Sequence, residues 1–408
     1  MVDSSMRDYL ERLRETGGVG GPGLVAFAVL SLTAFAFFRV ALLPEFGSEL
    51  GMSTFQLGVV TTVFGVGRLA ADLPGGHLAD RFPASGILAV SAVAIAVGSL
   101  AVGVSMGLVT LYAASLLLGV ASSTTNATGM TYYSNAAGAE FRGTSMAIFS
   151  AALLGGQALG PSAAGLIASA AGWRVAMFVA AAAAGLVSVM LVVFRDQGAS
   201  ADGAESIEPV EDGGAAGIDW GSMLVLQSVS FAVFLTLGSI PQTLVPVVGS
   251  ETLGLGAASI GLALGLGGVA RFVGTLIGGR LSDRLSRKAA LVPALVLQGV
   301  GVGLLALPPS VALWLAAIVV MSVASYAVAV AATIVGDLAH PGRVGSQLGR
   351  FRFVGDLGLI VGPVTVSAIY EKIGREAAFL MVAALLVGVG VLCLRMLPDT
   401  QPAGYARG

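Results

Sequence analysis

Cysteine, histidine and charge are all scarce in this chain. Its 408 residues include one cysteine, Cys393, and two histidines, His77 and His340. A single thiol forms no internal disulfide, and so few Cys and His side chains offer no ligand set for a structural or catalytic metal, so neither metal nor cofactor is expected. Charged residues make up 11% of the chain, against roughly 25% in soluble domains. The net charge of -2 lacks the basic excess that nucleic-acid surfaces need. No glycine-rich phosphate loop ending in Gly-Lys-Ser/Thr is present, and no serine motif has plausible catalytic partners, so an enzyme is not expected. What the chain has instead is apolar: 56% hydrophobic residues and 58 glycines, with a mean hydropathy of +0.91. Such a composition belongs in a lipid bilayer.

A helix needs about 20 predominantly apolar residues to cross the hydrocarbon. Twelve such runs are read at 24–46, 54–76, 86–105, 108–130, 143–168, 174–194, 219–246, 255–279, 289–307, 311–335, 348–370 and 376–396. The third and fourth are divided only by MG (106–107), and the ninth and tenth only by PPS (308–310). With this count fifteen basic residues, Arg81, Arg142, Arg284 and Arg350 among them, fall at one boundary, and three, Arg174, Lys372 and Arg375, at the other. The positive-inside rule then places both termini in the cytoplasm, which points to a bacterial inner membrane. The first twenty residues do not read as an export signal; Tyr9, Leu10 and Leu13 allow either a short surface helix or a solvated tail. The acidic, glycine-rich stretch after Arg195 reads as a linker. The expected division is a segment 1–22, a six-helix bundle 23–194, a linker 195–218, a second six-helix bundle 219–397 and a tail 398–408.

One phrase occurs twice. GVGRLAADLPGGHLADR (65–81) returns as GVARFVGTLIGGRLSDR (268–284), and an offset of 203 residues carries Arg68 onto Arg271 and Asp80-Arg81 onto Asp283-Arg284. Gly160-Pro161 recurs as Gly362-Pro363 at nearly the same offset. Six spans per half keep corresponding helices pointing the same way, as in parallel repeats about an axis along the membrane normal. The loops GHLADRF (76–82) and GRLSDRLSRK (279–288), with GGQALGP (155–161) and GRFRFVGDLGLIVGP (349–363), resemble the signatures of the major facilitator superfamily. That resemblance covers about residues 24 to 396. It implies an all-α membrane fold of twelve helices in two pseudo-symmetric six-helix bundles, and a secondary transporter working by alternating access. Two departures stand out: the first loop lacks trailing basic residues, and span four has no arginine of the kind many drug/proton antiporters of the superfamily carry.

Several residues are candidates for gating. Asp80, Arg81, Asp283, Arg284, Arg287 and Lys288 lie at the loop ends of their helices, where a carboxylate can cap helix N-termini and pair with an arginine of the same layer. Gly156, Gly160, Pro161, Gly362 and Pro363 permit close helix approach and bending. Either group has a simpler reading, as solvated loop charge or as ordinary packing.

Arginine inside the hydrocarbon costs about 2.5–3.5 kcal/mol on insertion scales, so Arg39, Arg68 and Arg271 call for a reason. Arg39 is open to solute contact or to interface anchoring. Arg68 and Arg271 can present guanidinium forks to one anion from opposite halves. Alternatively, Asp72 is placed to pair with Arg68 at i,i+4, with Asp356 as a further partner. Asp72 and Asp356 are the proton-coupling candidates, since a moving arginine switches the environment of a partly buried carboxylate. The resemblance implies that spans one, four, seven and ten line the path, so Asn126, Gln227, Gln242 and Tyr326 could meet solute or simply bond helix to helix. The expectation is a monomeric, proton-coupled secondary transporter favouring an anionic or carboxylate-bearing small solute; the alternative is proton-driven export of amphiphilic drugs.

Overall fold

The computed structural model describes residues 21–135, 142–194, 220–339 and 344–398. The expected tail up to residue 20, the linker 195–219 and the end from 399 lie outside the described residues, as does the side chain of Asp80. Twelve helices among the described residues are long and apolar enough to cross a membrane. They are α1 Pro22–Leu50, α2 Thr54–Arg81, α3 Ala84–Gly103, α4 Leu108–Asn135, α5 Arg142–Ala171, α6 Trp173–Val193, α7 Trp220–Thr252, α8 Ala257–Arg284, α9 Arg287–Leu304, α10 Val311–Leu338, α11 Val344–Lys372 and α12 Arg375–Met396.

Several helices outrun the apolar runs that marked them. The 30 residues of α5 span about 45 Å at 1.5 Å per residue, beyond the roughly 30 Å hydrocarbon. Polar termini such as Tyr132–Asn135 therefore continue the helix outside the lipid zone. The two weakest divisions hold. Between α9 and α10 the break is fixed by Ser310, whose side chain accepts the Leu313 N–H at 3.2 Å and caps the new helix. Gly172 and Gly374, with φ of 88° and 129°, make the turns into α6 and α12 in the left-handed region that glycine tolerates.

Helix pairings repeat. In the first half α3 packs against α6 and α4; in the second, α9 packs against α12 and α10. Side chains follow the solvent they meet. Val90, Val93, Val97 and Leu100 of α3 and Leu186, Val189 and Val193 of α6 are exposed apolar residues of the kind lipid accepts, whereas Ala89, Ala92, Ala180 and Ala184 are buried. Small residues let backbones approach where van der Waals packing must hold helices together.

By contacts the chain forms two compact units. Among the described residues the first holds α1 up to Leu42, α2 from Val63, α3 to α6, and Ala257–Gly265 of α8. The second holds Leu43–Thr62, α7, α8 from Leu266, and α9 to α12.

The helix α7 is not uniform. Ile240–Leu244 and Val248–Thr252 are π-helical, with Pro241 and Pro246 interrupting the ordinary ladder. A proline lacks the donor and crowds the preceding turn, and widened turns absorb the misfit. Side chains take up carbonyls there: Thr243 Oγ1 donates to Gly238 O at 2.8 Å and Trp314 Nε1 to Val245 O at 3.2 Å.

Candidate functional site

In the first unit the charged interior is built on α1, α2 and α4. Phe64, Arg68 and Asp72 stand at i, i+4 and i+8, on one face of α2. Arg39 of α1, 1% exposed, lies with its guanidinium carbon 3.9 Å from the centroid of the Phe64 ring. Such stacking suits a desolvated guanidinium. Arg68 lies within electrostatic range of Arg39. Behind this face α4 comes as close as backbones allow: a Cβ on Gly119 would sit 2.1 Å from Phe64 O, and one on Gly67 would sit 2.2 Å from Leu116 O. The position of Arg68 along α2 is thereby fixed.

The spacing that suggested an Arg68–Asp72 pair is present, but the pair is not formed among the described residues. Asp72 Oδ1 accepts instead from the Ser123 hydroxyl of α4. The Arg68 Nε is buried with no hydrogen-bond partner. Asn126, one turn beyond Ser123, is half-buried and its Oδ1 likewise has no hydrogen-bond partner.

The second unit holds the remaining solute and coupling candidates. Gln242, Tyr326 and Asp356 are 4%, 6% and 4% exposed; Gln227 and Arg271 are half-buried. The counterpart of Asp72 is Thr275, whose hydroxyl donates to the Arg271 carbonyl at 2.9 Å. Tyr326 sits in a short 3-10 turn inside α10 and fills the space beside Gly278, where a Cβ would lie 2.3 Å from its ring.

The candidate gating glycines and prolines make different contacts. Gly156 and Gly160 lie against α1, with would-be Cβ positions 2.5 Å from Leu30 O and 2.3 Å from Ala34 O; Gly362 meets Leu235 O of α7 at 2.6 Å. The prolines face elsewhere. A Cβ on Gly261 of α8 would lie 2.3 Å from Pro161 O, and one on Gly58 of α2 would lie 2.5 Å from Pro363 O. These two contacts correspond under the repeat, because the offset of 203 that carries Arg68 onto Arg271 also carries Gly58 onto Gly261. That shared offset was the available signal for two glycines the sequence reading did not select. Hydroxyls support both contacts: Ser162 Oγ donates to Gly261 O at 3.2 Å, Thr62 Oγ1 donates to Ile360 O at 2.7 Å, and the Thr61 and Thr243 hydroxyls are in hydrogen-bond contact at 3.0 Å.

Gly58 and Gly261 each precede the Asp-Arg phrase of their helix by 22 residues, about 33 Å along it. At that far end Arg287 is a junction. Its Nη1 donates to Ser282 Oγ at 3.0 Å and Asp283 Oδ1 at 3.1 Å, and its Nε to Asp337 Oδ2 of α10 at 3.1 Å. Asp337 has no charged counterpart in the first repeat and was missed for that reason. Lys288 Nζ donates to Leu397 O at 2.9 Å, closing the end of α12, while Arg81 and Arg284 are exposed.

Two six-helix repeats, membrane-long helices and a polar interior define a polytopic membrane protein. A major facilitator superfamily model matches residues 24–247 and again 224–407. The chain belongs to that superfamily, whose members move solutes by alternating access rather than convert them. Comparison with curated proteins finds no match. Among solved structures, a bacterial homologue of the human lysosomal transporter Spinster, in an inward-facing and occupied conformation, is similar with a TM-score of 0.75 at 14% identity, over 93% of this chain and 98% of that one. The nucleoside transporter NupG gives a TM-score of 0.73 at 14% identity, over 92% and 99%. The human organic anion transporter MFSD10 gives 0.65 at 18% identity, over 94% and 99%. At these identities the likeness is one of fold.

Proposed function

We propose that this protein is a proton-coupled secondary transporter of a small anionic or carboxylate-bearing solute. The observation that carries the reading is Arg68, whose buried Nε has no hydrogen-bond partner although Asp72 stands four residues on along α2, because Asp72 accepts from Ser123. A buried guanidinium N–H left unmet is costly, and an anionic or carboxylate-bearing solute supplies its acceptor. Arg271 is the candidate from the second repeat, and Asn126, Gln227, Gln242 and Tyr326 complete the polar lining. Asp72 and Asp356 are the proton carriers. Alternation would part the Gly58–Pro363 and Gly261–Pro161 contacts in one state and rearrange the charges around Asp80, Asp283 and Arg287 in the other. The ends bearing the Asp-Arg phrases face the cytoplasm of a bacterial cell, the working protein is a monomer, and the linker 195–218 joins bundles 23–194 and 219–397.

A thermal-shift screen of wild type, Arg68→Gln and Arg271→Gln against small carboxylates, phosphate esters, nitrate and cationic drugs tests the substrate class. An anion should stabilise wild type and lose about ten- to a hundredfold in affinity for a variant that loses its charge-assisted bond. Stabilisation by cationic amphiphiles alone, equal in all three proteins, would replace the anion reading with drug export.

A further inference from the structure

Arg68 has a donor in a buried position, and two acceptors compete to meet it. Asp72 is four residues on along the same helix face, where opposite charges meet by default. In this structure it has turned to Ser123 Oγ, and the Arg68 Nε is buried with no hydrogen-bond partner. A buried guanidinium N–H left unmet is costly. The backbone cannot slide to resolve this, because Gly67 and Gly119 hold α2 and α4 in contact on either side of Arg68. Only side-chain rotation remains, and it gives two arrangements: Asp72 on Arg68, or Asp72 on Ser123 with Arg68 open.

We propose that Asp72 is an internal competitor of the solute for Arg68, and that Ser123, by drawing Asp72 onto α4, sets the affinity of the anion site. The proposal rests on the anion reading above and deepens it. The apparent affinity of a site that is competent only part of the time is reduced by the competent fraction, and Ser123 raises that fraction. The second repeat supplies an independent observation. Under the offset of 203 residues Asp72 becomes Thr275 and Ser123 becomes Tyr326. Competitor and restraint are thus both replaced beside Arg271, and Thr275 turns to its own helix backbone. An acid kept only for charge balance would not need the serine.

The test is isothermal titration of the purified full-length protein with succinate, phosphate and nitrate as probes, on wild type, Ser123→Ala, Ser123→Thr, Asp72→Asn and Asp72→Asn/Ser123→Ala. For the probe that binds wild type, Ser123→Ala should weaken binding about tenfold or more, the size expected for losing a hydrogen bond to a charged group. Ser123→Thr should restore it. Asp72→Asn should bind at least as tightly as wild type, and adding Ser123→Ala to it should change nothing further. Weaker binding by Asp72→Asn, or an equal loss from Ser123→Ala with and without Asp72, would overturn the competition. If Arg68→Gln loses the probe while Ser123→Ala keeps full affinity, the anion site stands and the competition falls. If none of the three probes binds wild type, both fall.

Discussion

Arg174 and Arg375 each follow a left-handed glycine, one at the start of α6 and the other at the start of α12. Each reaches back to the C-terminal end, or the chain just past the end, of the helix three before it. Arg174 Nη1 donates to Gly103 O at 2.8 Å and to Ser105 O at 3.1 Å, and its guanidinium lies 4.4 Å from the Trp173 ring centroid. Arg375 Nη2 donates to Leu307 O at 3.0 Å. Gly103 O is the last carbonyl of α3, and Ser105 O and Leu307 O lie two and three residues past the ends of α3 and α9, where a cation is favoured. The sequence made both arginines exceptions to a charge rule; their positions make them caps. Replacing Arg174 by Ala should cost about 1.5–3 kcal/mol of stability, and Arg375→Ala less, since it gives up one bond and no ring. Melting curves of the two variants in detergent give the order, and a larger loss for Arg375 would refute the cap account.

The helix contacts at Gly58 and Gly261 belong to whole elements, because a single Cβ there strikes a neighbouring backbone rather than a movable side chain. Gly261→Leu would place atoms 2.3 Å from Pro161 O and 3.1 Å from Gly165 Cα; Gly58→Leu would strike Pro363 O and Ser367 Oγ. Either leucine should hold those helix ends apart, shift the population toward the other state and stop turnover while the protein still inserts. Gly185→Leu in α6, with nothing within 4 Å of its would-be Cβ, is the control that should transport normally. Spin-label distances between α5 and α8 should lengthen for Gly261→Leu, and distances like those of wild type with transport intact would dismiss the contact as a gate. These contacts could be read in advance only through the repeat, since one glycine among 58 says little, but a glycine and a proline that keep one offset across two halves say where helices meet. The π turns of α7 could not be read so. They are supported by Trp314 Nε1 and Thr243 Oγ1, which donate to Val245 O and Gly238 O. The same limit governs Arg68: its i,i+4 acid was legible, whereas Ser123 Oγ on another helix, which took that acid, was not.

At the scale of the molecule, the two compact units cut across the two sequence repeats. Leu43–Thr62 of the first repeat lies in the second unit, and Ala257–Gly265 of the second repeat lies in the first. Each unit therefore contains one glycine–proline contact made from both repeats, Gly261 with Pro161 in one and Gly58 with Pro363 in the other. A change of state that separates the repeats must break one contact in each unit. Under the proposed proton coupling, it is on that event that the proton acts. Asp72, held by Ser123, and Asp356, 4% exposed, are on helices that carry these contacts, α2 and α11. A carboxylate in such a place makes its helix's preferred state depend on whether it carries a charge. Asp72→Asn and Asp356→Asn should consequently abolish gradient-driven accumulation of the solute in proteoliposomes while leaving equilibrium exchange at a substantial fraction of wild type, because exchange returns the loaded carrier and never requires the proton to leave. Both modes can be read in one preparation by imposing or collapsing the pH difference. Normal accumulation by both variants would remove the two acids from the coupling path, and loss of both modes together would mark them as supports of the fold.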